Sequence, residues 1–115
     1  MAYDEKLAIR IRESLSQIPD IYVEEKLMMG GLTFMCNGKM CVGIIADEIM
    51  CRIDPMLHEV SIEKPGCRTM NFTKRPMKGY VMVNDTGMST QEKFEYWINL
   101  CLEFNSKAKS SKQKK

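Results

Sequence analysis

Leu32-Thr33-Phe34-Met35-Cys36-Asn37-Gly38-Lys39-Met40-Cys41-Val42-Gly43-Ile44-Ile45 decides the fold. Two apolar runs flank Asn37-Gly38, and Asn-Gly is the preferred pair for a two-residue type I′ turn because both central positions need positive φ. The stretch predicts a β-hairpin with Cys36 opposite Lys39, Met35 opposite Met40 and Phe34 opposite Cys41. One face then carries Phe34, Cys36, Lys39 and Cys41; the other carries Met35, Met40, Val42 and Ile44. Both faces are largely apolar, so the hairpin needs cover twice: helices on one side, and loops, the last helix or another chain on the other. Phe34, Cys36 and Cys41 are therefore candidate interaction-surface residues, and a homodimer is expected.

On the N-terminal side, Leu7, Ala8, Ile11 and Leu15 recur at helical spacing, which predicts a helix from about Asp4 to Gln17, capped by Asp4 and stopped before Pro19. Residues 21–29 read as a strand closed by Gly30-Gly31. Beyond the hairpin, Ala46-Asp47-Glu48 turns into a strand at 49–53. Asp54-Pro55 then opens a short helix to about Ile62, and Pro65-Gly66 breaks it. Cys67–Met70 and Gly79–Val83 read as two further strands. Ser89 and Glu92 fit a capping box ahead of a helix whose core stripe is Phe94, Trp97, Ile98, Cys101 and Leu102. The order predicts an α+β domain: a mostly antiparallel sheet with N- and C-terminal helices packed on it and a short helix between strands.

At 115 residues the chain fits one domain, with residues 1–105 folded and 106–115 a disordered Lys-rich tail. The net charge of +2 is unevenly placed: residues 1–63 carry 6 basic and 11 acidic groups, and residues 64–80 carry 5 basic and none acidic. The tail adds 5 lysines, so the folded body is mildly acidic apart from one segment. No run approaches the roughly 18 apolar residues of a spanning helix, and the N-terminus lacks a signal-peptide layout. Five cysteines without a C-x-x-C pair read as reduced, core-packing thiols. A cytoplasmic protein with no membrane contact is expected.

Little in the sequence suggests a reaction. The cysteines lack the close pairs of a structural zinc site, so no metal is expected. Any Cys–His dyad must use His58, the single histidine, which on a short helix beside Glu59 reads as an ordinary exposed side chain. Glu24 and Glu25, adjacent on a strand, point to opposite faces and make poor acid–base partners. No phosphate loop, dinucleotide fingerprint or nucleophile elbow is present. No catalytic residue and no cofactor are assigned. The basic segment is the one constellation with binding chemistry: Lys64, Arg68, Lys74, Arg75 and Lys78 interleave with Phe72 and Tyr80. Basic side chains beside aromatics can hold phosphates and stack bases, which makes Arg68, Lys74, Arg75 and Lys78 candidate nucleic-acid contacts, with the tail as a salt-sensitive grip. The alternative is a solvated loop pinned to the core by Phe72 and Met77.

Three stretches also carry a family likeness. The opening Met1-Ala2-Tyr3-Asp4, the run Met29-Gly30-Gly31-Leu32-Thr33-Phe34-Met35-Cys36-Asn37-Gly38-Lys39-Met40, and Met70-Asn71-Phe72-Thr73-Lys74-Arg75-Pro76-Met77-Lys78-Gly79-Tyr80-Val81-Met82-Val83 resemble the TfoX/Sxy N-terminal domain family. The likeness covers about residues 1–105 and includes the closing helix with Trp97. It implies an α+β domain of bacterial regulators that promote expression of DNA-uptake genes alongside a cyclic-AMP-responsive activator, and it brings no catalytic residues. Taken together, the leading expectation is a small non-enzymatic regulatory domain acting through protein contacts, with partners unidentified. The alternative is a nucleic-acid-binding module using the 64–80 segment and the tail.

Overall fold

Asn37 and Gly38 take φ values of 54° and 80°, the pair of positive angles that a type I′ turn requires. The strands they join are β2 (Gly31–Cys36) and β3 (Lys39–Ile45), numbered after β1 (Val23–Met28), which precedes them. Our computed structural model describes residues 3–28, 30–70 and 78–107. Across the hairpin, Cys36 pairs with Lys39 and Met35 with Met40, as the turn chemistry predicts. Beyond them a bulge inserts one residue, so Phe34 lies opposite Val42 and not Cys41. An extra residue reverses the alternation of the strand. Val42 and Ile44, expected on the face opposite Phe34, therefore join Phe34, Cys36 and Cys41 in one core.

The chain continues through β4 (Glu48–Arg52), a 3-10 turn at Pro55–Leu57, α2 (His58–Ser61), β5 (Cys67–Thr69), β6 (Tyr80–Val83) and α3 (Gln91–Asn105), with α1 (Glu5–Ser16) at the start. The six strands form one sheet in the order β1-β2-β3-β4-β6-β5, with every neighbouring pair antiparallel. The fold is the expected α+β arrangement. Asp4 caps α1, its carboxylate accepting the Lys6 N–H at 2.8 Å. The short helix divides into a 3-10 turn and a single α turn, because Pro55 at the first position and the Asp54 cap on Met56 N–H tighten its start. The cap of α3 is Thr90, one residue later than the capping-box reading: its hydroxyl accepts the Lys93 N–H at 3.1 Å.

Both long helices lie on the same face of the sheet. Leu7, Ala8, Ile11 and Leu15 of α1 and Phe94, Trp97, Ile98 and Cys101 of α3 share one cluster with the inward residues of β2, β3, β4 and β6. Full burial of each large side chain contributes about 1.5–3 kcal/mol. Phe34, Cys36 and Cys41 are 0%, 0% and 1% exposed. They are interior residues under the chain's own helices and form no surface, which corrects the expectation from the hairpin alone. The opposite face holds a second cluster of Met50, Met70 and Met82, flanked by half-buried Met40, Ile45 and Tyr80. Asn105 ties the end of α3 to the hairpin: its amide donates to the Cys36 carbonyl at 3.2 Å, and its own carbonyl accepts from Lys39 Nζ at 3.0 Å. Lys107 Nζ lies 3.7 Å from Asp54, while the rest of the tail, 108–115, falls outside the described residues. Among the described residues, no helix is long and apolar enough to cross a membrane.

Candidate interaction surface

Reactive side chains are held in structural roles. His58, read from sequence as exposed, is 4% exposed. Its Nδ1 accepts the Gly79 N–H at 2.9 Å, and Nε2 lies 2.9 Å from Thr69 Oγ1. With Nδ1 accepting, the neutral ring carries its proton on Nε2 and donates it to the threonine. The imidazole thus fastens α2 to the ends of β5 and β6, and both nitrogens are occupied.

The thiols are likewise internal. Cys36, Cys41, Cys101 and Cys51 are all buried, and along this series each thiol perturbs the next. The Cys41 contact, then burial, pushes the Cys36 thiol far up; the Cys101 contact does the same to Cys41. Burial dominates at Cys101 and raises it well above its ordinary value. Cys67 is pushed up to about 11 by burial, with Lys64 acting the other way. Thiols so raised stay protonated near neutral pH, and the protonated form is a poor nucleophile. Among the described residues, no group of three or more His, Cys, Asp or Glu side chains is arranged to hold a metal ion.

The candidate nucleic-acid residues are dispersed in role. Arg68 on β5 donates to Glu48 at 2.8 Å, so its charge is matched within the fold. Lys78 is exposed in the turn before β6. Lys74 and Arg75, with Phe72 and Met77, lie outside the described residues. Glu24 and Glu25 do point to opposite faces, Glu25 being taken by Arg12 of α1 at 2.6 Å.

A different site is assembled from three separated segments. Lys64-Pro65 ahead of β5, Thr86-Gly87 after β6, and Glu92, Lys93, Tyr96 and Trp97 on α3 line a groove of about 310 Å³ with a mostly apolar wall. The two turns meet backbone to backbone. Gly66 has φ +79°, and a Cβ there would fall 2.4 Å from the Gly87 nitrogen, so only glycine allows this approach. Asn84 sets the second turn, its side-chain oxygen accepting the Thr86 N–H at 3.0 Å. Trp97 forms the floor: its Nε1–H donates to the Gly87 carbonyl at 3.1 Å, which satisfies its polar edge and leaves the ring face apolar. Tyr96 stands at the rim, edge to face with Trp97 at 5.1 Å and 42% exposed. Lys64 Nζ sits 5.1 Å from the Tyr96 ring centroid.

An apolar floor with a few charged groups at the rim suits an apolar side chain of a partner. A second groove between α1 and α3 has a similar volume, about 310 Å³, but its wall is mainly polar, with Arg10 donating to Gln91 at 3.2 Å. The Tyr96 groove is the better binding surface. Sequence reading missed it, because its three segments are far apart along the chain. One signal was there: Tyr96 is an aromatic that lies off the core stripe of its helix. Compared with known families, residues 4–105 match the family model described as TfoX N-terminal domain. No curated protein and no solved structure gives a match.

Proposed function

This chain belongs to the TfoX N-terminal domain family, a family of regulatory-type domains, and from that premise we propose that it acts without catalysis in promoting the expression of DNA-uptake genes, by holding a protein partner in the Tyr96 groove. The observation that carries the proposal is the pairing of an open apolar groove with an interior that keeps His58 and the cysteines from solvent. Tyr is enriched among the side chains that dominate binding energy, and Tyr96 projects where a partner could cover it. Lys64 and Lys93 at the rim favour a partner segment with acidic residues beside its apolar anchor.

The test is transcription of DNA-uptake genes in a strain deleted for this chain and complemented with variants. Tyr96→Ala is expected to lower the induced transcripts roughly tenfold, the loss of one such contact, while the thermal midpoint of the purified variant stays near that of the wild type. Full transcript levels with Tyr96→Ala would remove the groove from the mechanism. Unchanged transcripts in the deletion strain itself would remove the competence role.

A further inference from the structure

β1 is the outer strand of the sheet and pairs only with β2. Among the described residues nothing adds to its other side. An unpaired strand edge is a template for another strand, and proteins ordinarily guard such edges with charge. Here the charged run Glu24-Glu25-Lys26 lies between apolar residues that are strongly exposed, Leu27 at 76% and, just before the strand, Tyr22 at 64%. The backbone direction is fixed. The Asn37 N–H donates to the Tyr22 carbonyl at 2.8 Å, so the even-numbered residues turn their backbone groups toward β2. Val23, Glu25 and Leu27 turn theirs to the open edge.

From these observations we infer that the chain forms a two-fold homodimer by antiparallel pairing of β1 with β1 of a second copy, centred on Glu25. A two-fold axis perpendicular to the sheet through such a pair places residues opposite each other when their numbers sum to twice that of the central residue. Centred on Glu25, Glu24 lies opposite Lys26 of the other copy, Val23 opposite Leu27, and Tyr22 opposite Met28, each pair occurring twice. Opposite charges meet, and apolar residues meet. The central Glu25 carboxylates would repel, but each is already held by its own Arg12 through two hydrogen bonds of 2.6 and 2.8 Å. Val23, Glu25 and Leu27 then exchange backbone hydrogen bonds across the axis, and Glu24 and Lys26 fall in the closely spaced pairs where side chains interact most.

Neighbouring registers lose this match. Centred on Lys26, the strand sets Lys26 against Lys26 and Glu25 against Leu27. Centred on Glu24, it sets Glu24 against Glu24 and Val23 against Glu25. The charges that would guard an edge against other strands are self-complementary in one register, which serves both exclusion and pairing. This edge lies across the sheet from the Tyr96 groove, beside β5 and β6, so the inference does not depend on the proposed function.

The test is sedimentation equilibrium of the full chain from micromolar to submillimolar concentration. The wild type is expected to double its mass with concentration. Lys26→Glu and Glu24→Lys should each weaken dimerisation at least about tenfold, because two attractive pairs become repulsive. An equimolar mixture of these two variants should regain a dimer, since each supplies the charge that the other lacks. Leu27→Pro should be monomeric with an unchanged circular dichroism spectrum, because its N–H faces away from β2. A wild type that stays monomeric throughout overturns the inference, as does a dimer indifferent to Lys26→Glu or Leu27→Pro, or a mixture that fails to associate.

Discussion

Replacing His58 by alanine separates a structural imidazole from a chemical one. The Gly79 N–H donates to Nδ1 at 2.9 Å inside the fold, so His58→Ala leaves that donor without a partner. A buried unsatisfied amide costs about 1–3 kcal/mol. The missing ring leaves a void at a site 4% exposed and adds on the order of 1 kcal/mol. A total of about 3 kcal/mol is a large part of the 5–15 kcal/mol that holds an ordinary domain together. For a chain of this length it should lower the thermal midpoint by roughly 10 °C or more. The assay is equilibrium unfolding in urea, followed by the fluorescence of Trp97. His58→Asn supplies the decisive comparison, because its amide oxygen sits where Nδ1 sits and can accept the same N–H. It should recover about 1 kcal/mol relative to alanine. His58→Gln, which reaches toward Thr69, should recover less. Alanine within about 0.5 kcal/mol of the wild type, the ordinary range of a surface change, would refute the fastening role. So would an asparagine variant no better than alanine.

Gly66→Ala should destabilise the fold by about 2 kcal/mol and disturb the groove, since alanine at φ +79° is strained and its Cβ would fall on the Gly87 backbone; urea midpoints and the emission maximum of Trp97 report the two effects. The Arg12–Glu25 pair gives a pH signature. Hydrogen bonding to Arg12 lowers the Glu25 carboxyl below its ordinary value, so the pair stabilises above the unfolded carboxylate range, and that stabilisation is lost as pH falls through the lowered folded value. The pair is largely exposed, so Arg12→Gln should cost no more than about 1 kcal/mol at pH 7. The difference from wild type should vanish in strong acid, and a penalty that persists there would contradict the pairing. Finally, alkylation of the native chain near neutral pH should leave Cys36, Cys41 and Cys101 unmodified. Cys67 should react slowly, its rate climbing as pH approaches about 11; rapid labelling of any of the four would place it at the surface.

What the sequence revealed and what it concealed divide by range of interaction. The Asn37-Gly38 turn and the Asp4 cap are local: the residues that determine each lie within a few positions, and each was legible. The bulge at Cys41 was not, because alternation over seven residues looks the same until the partner strand shows which residue is skipped. Ser89 and Thr90 are adjacent hydroxyls, and only the start of the helix chooses between them. The burial of His58 depends on Thr69 and Gly79, 11 and 21 residues away. No pattern around His58 could have revealed it. The same holds for Phe34, Cys36 and Cys41, whose cover comes from helices at both ends of the chain. Of the basic segment, Arg68 changed meaning once Glu48 came beside it. The groove needed three segments to meet at glycine-to-glycine distance.

The two surfaces have a joint consequence. A dimer joined through β1 would carry six strands from each copy in one sheet, with both helical faces on the same side. Strands are spaced about 4.8 Å apart, so the two Tyr96 grooves would lie roughly 50 Å from each other at the far margins. A flexible linker needs on the order of 80 residues to span that distance on average. Two docking motifs close together on one partner chain could not reach both grooves, whereas a partner that is itself dimeric could. Binding through both would multiply affinity by about 10²–10⁴ without any new contact. Lys26→Glu, which leaves the groove untouched, should therefore lower the transcript response by weakening engagement of the partner, and adding the charge-complementary Glu24→Lys variant in the same cell should restore it. A Lys26→Glu variant that is monomeric in solution yet fully active would show that a single groove suffices.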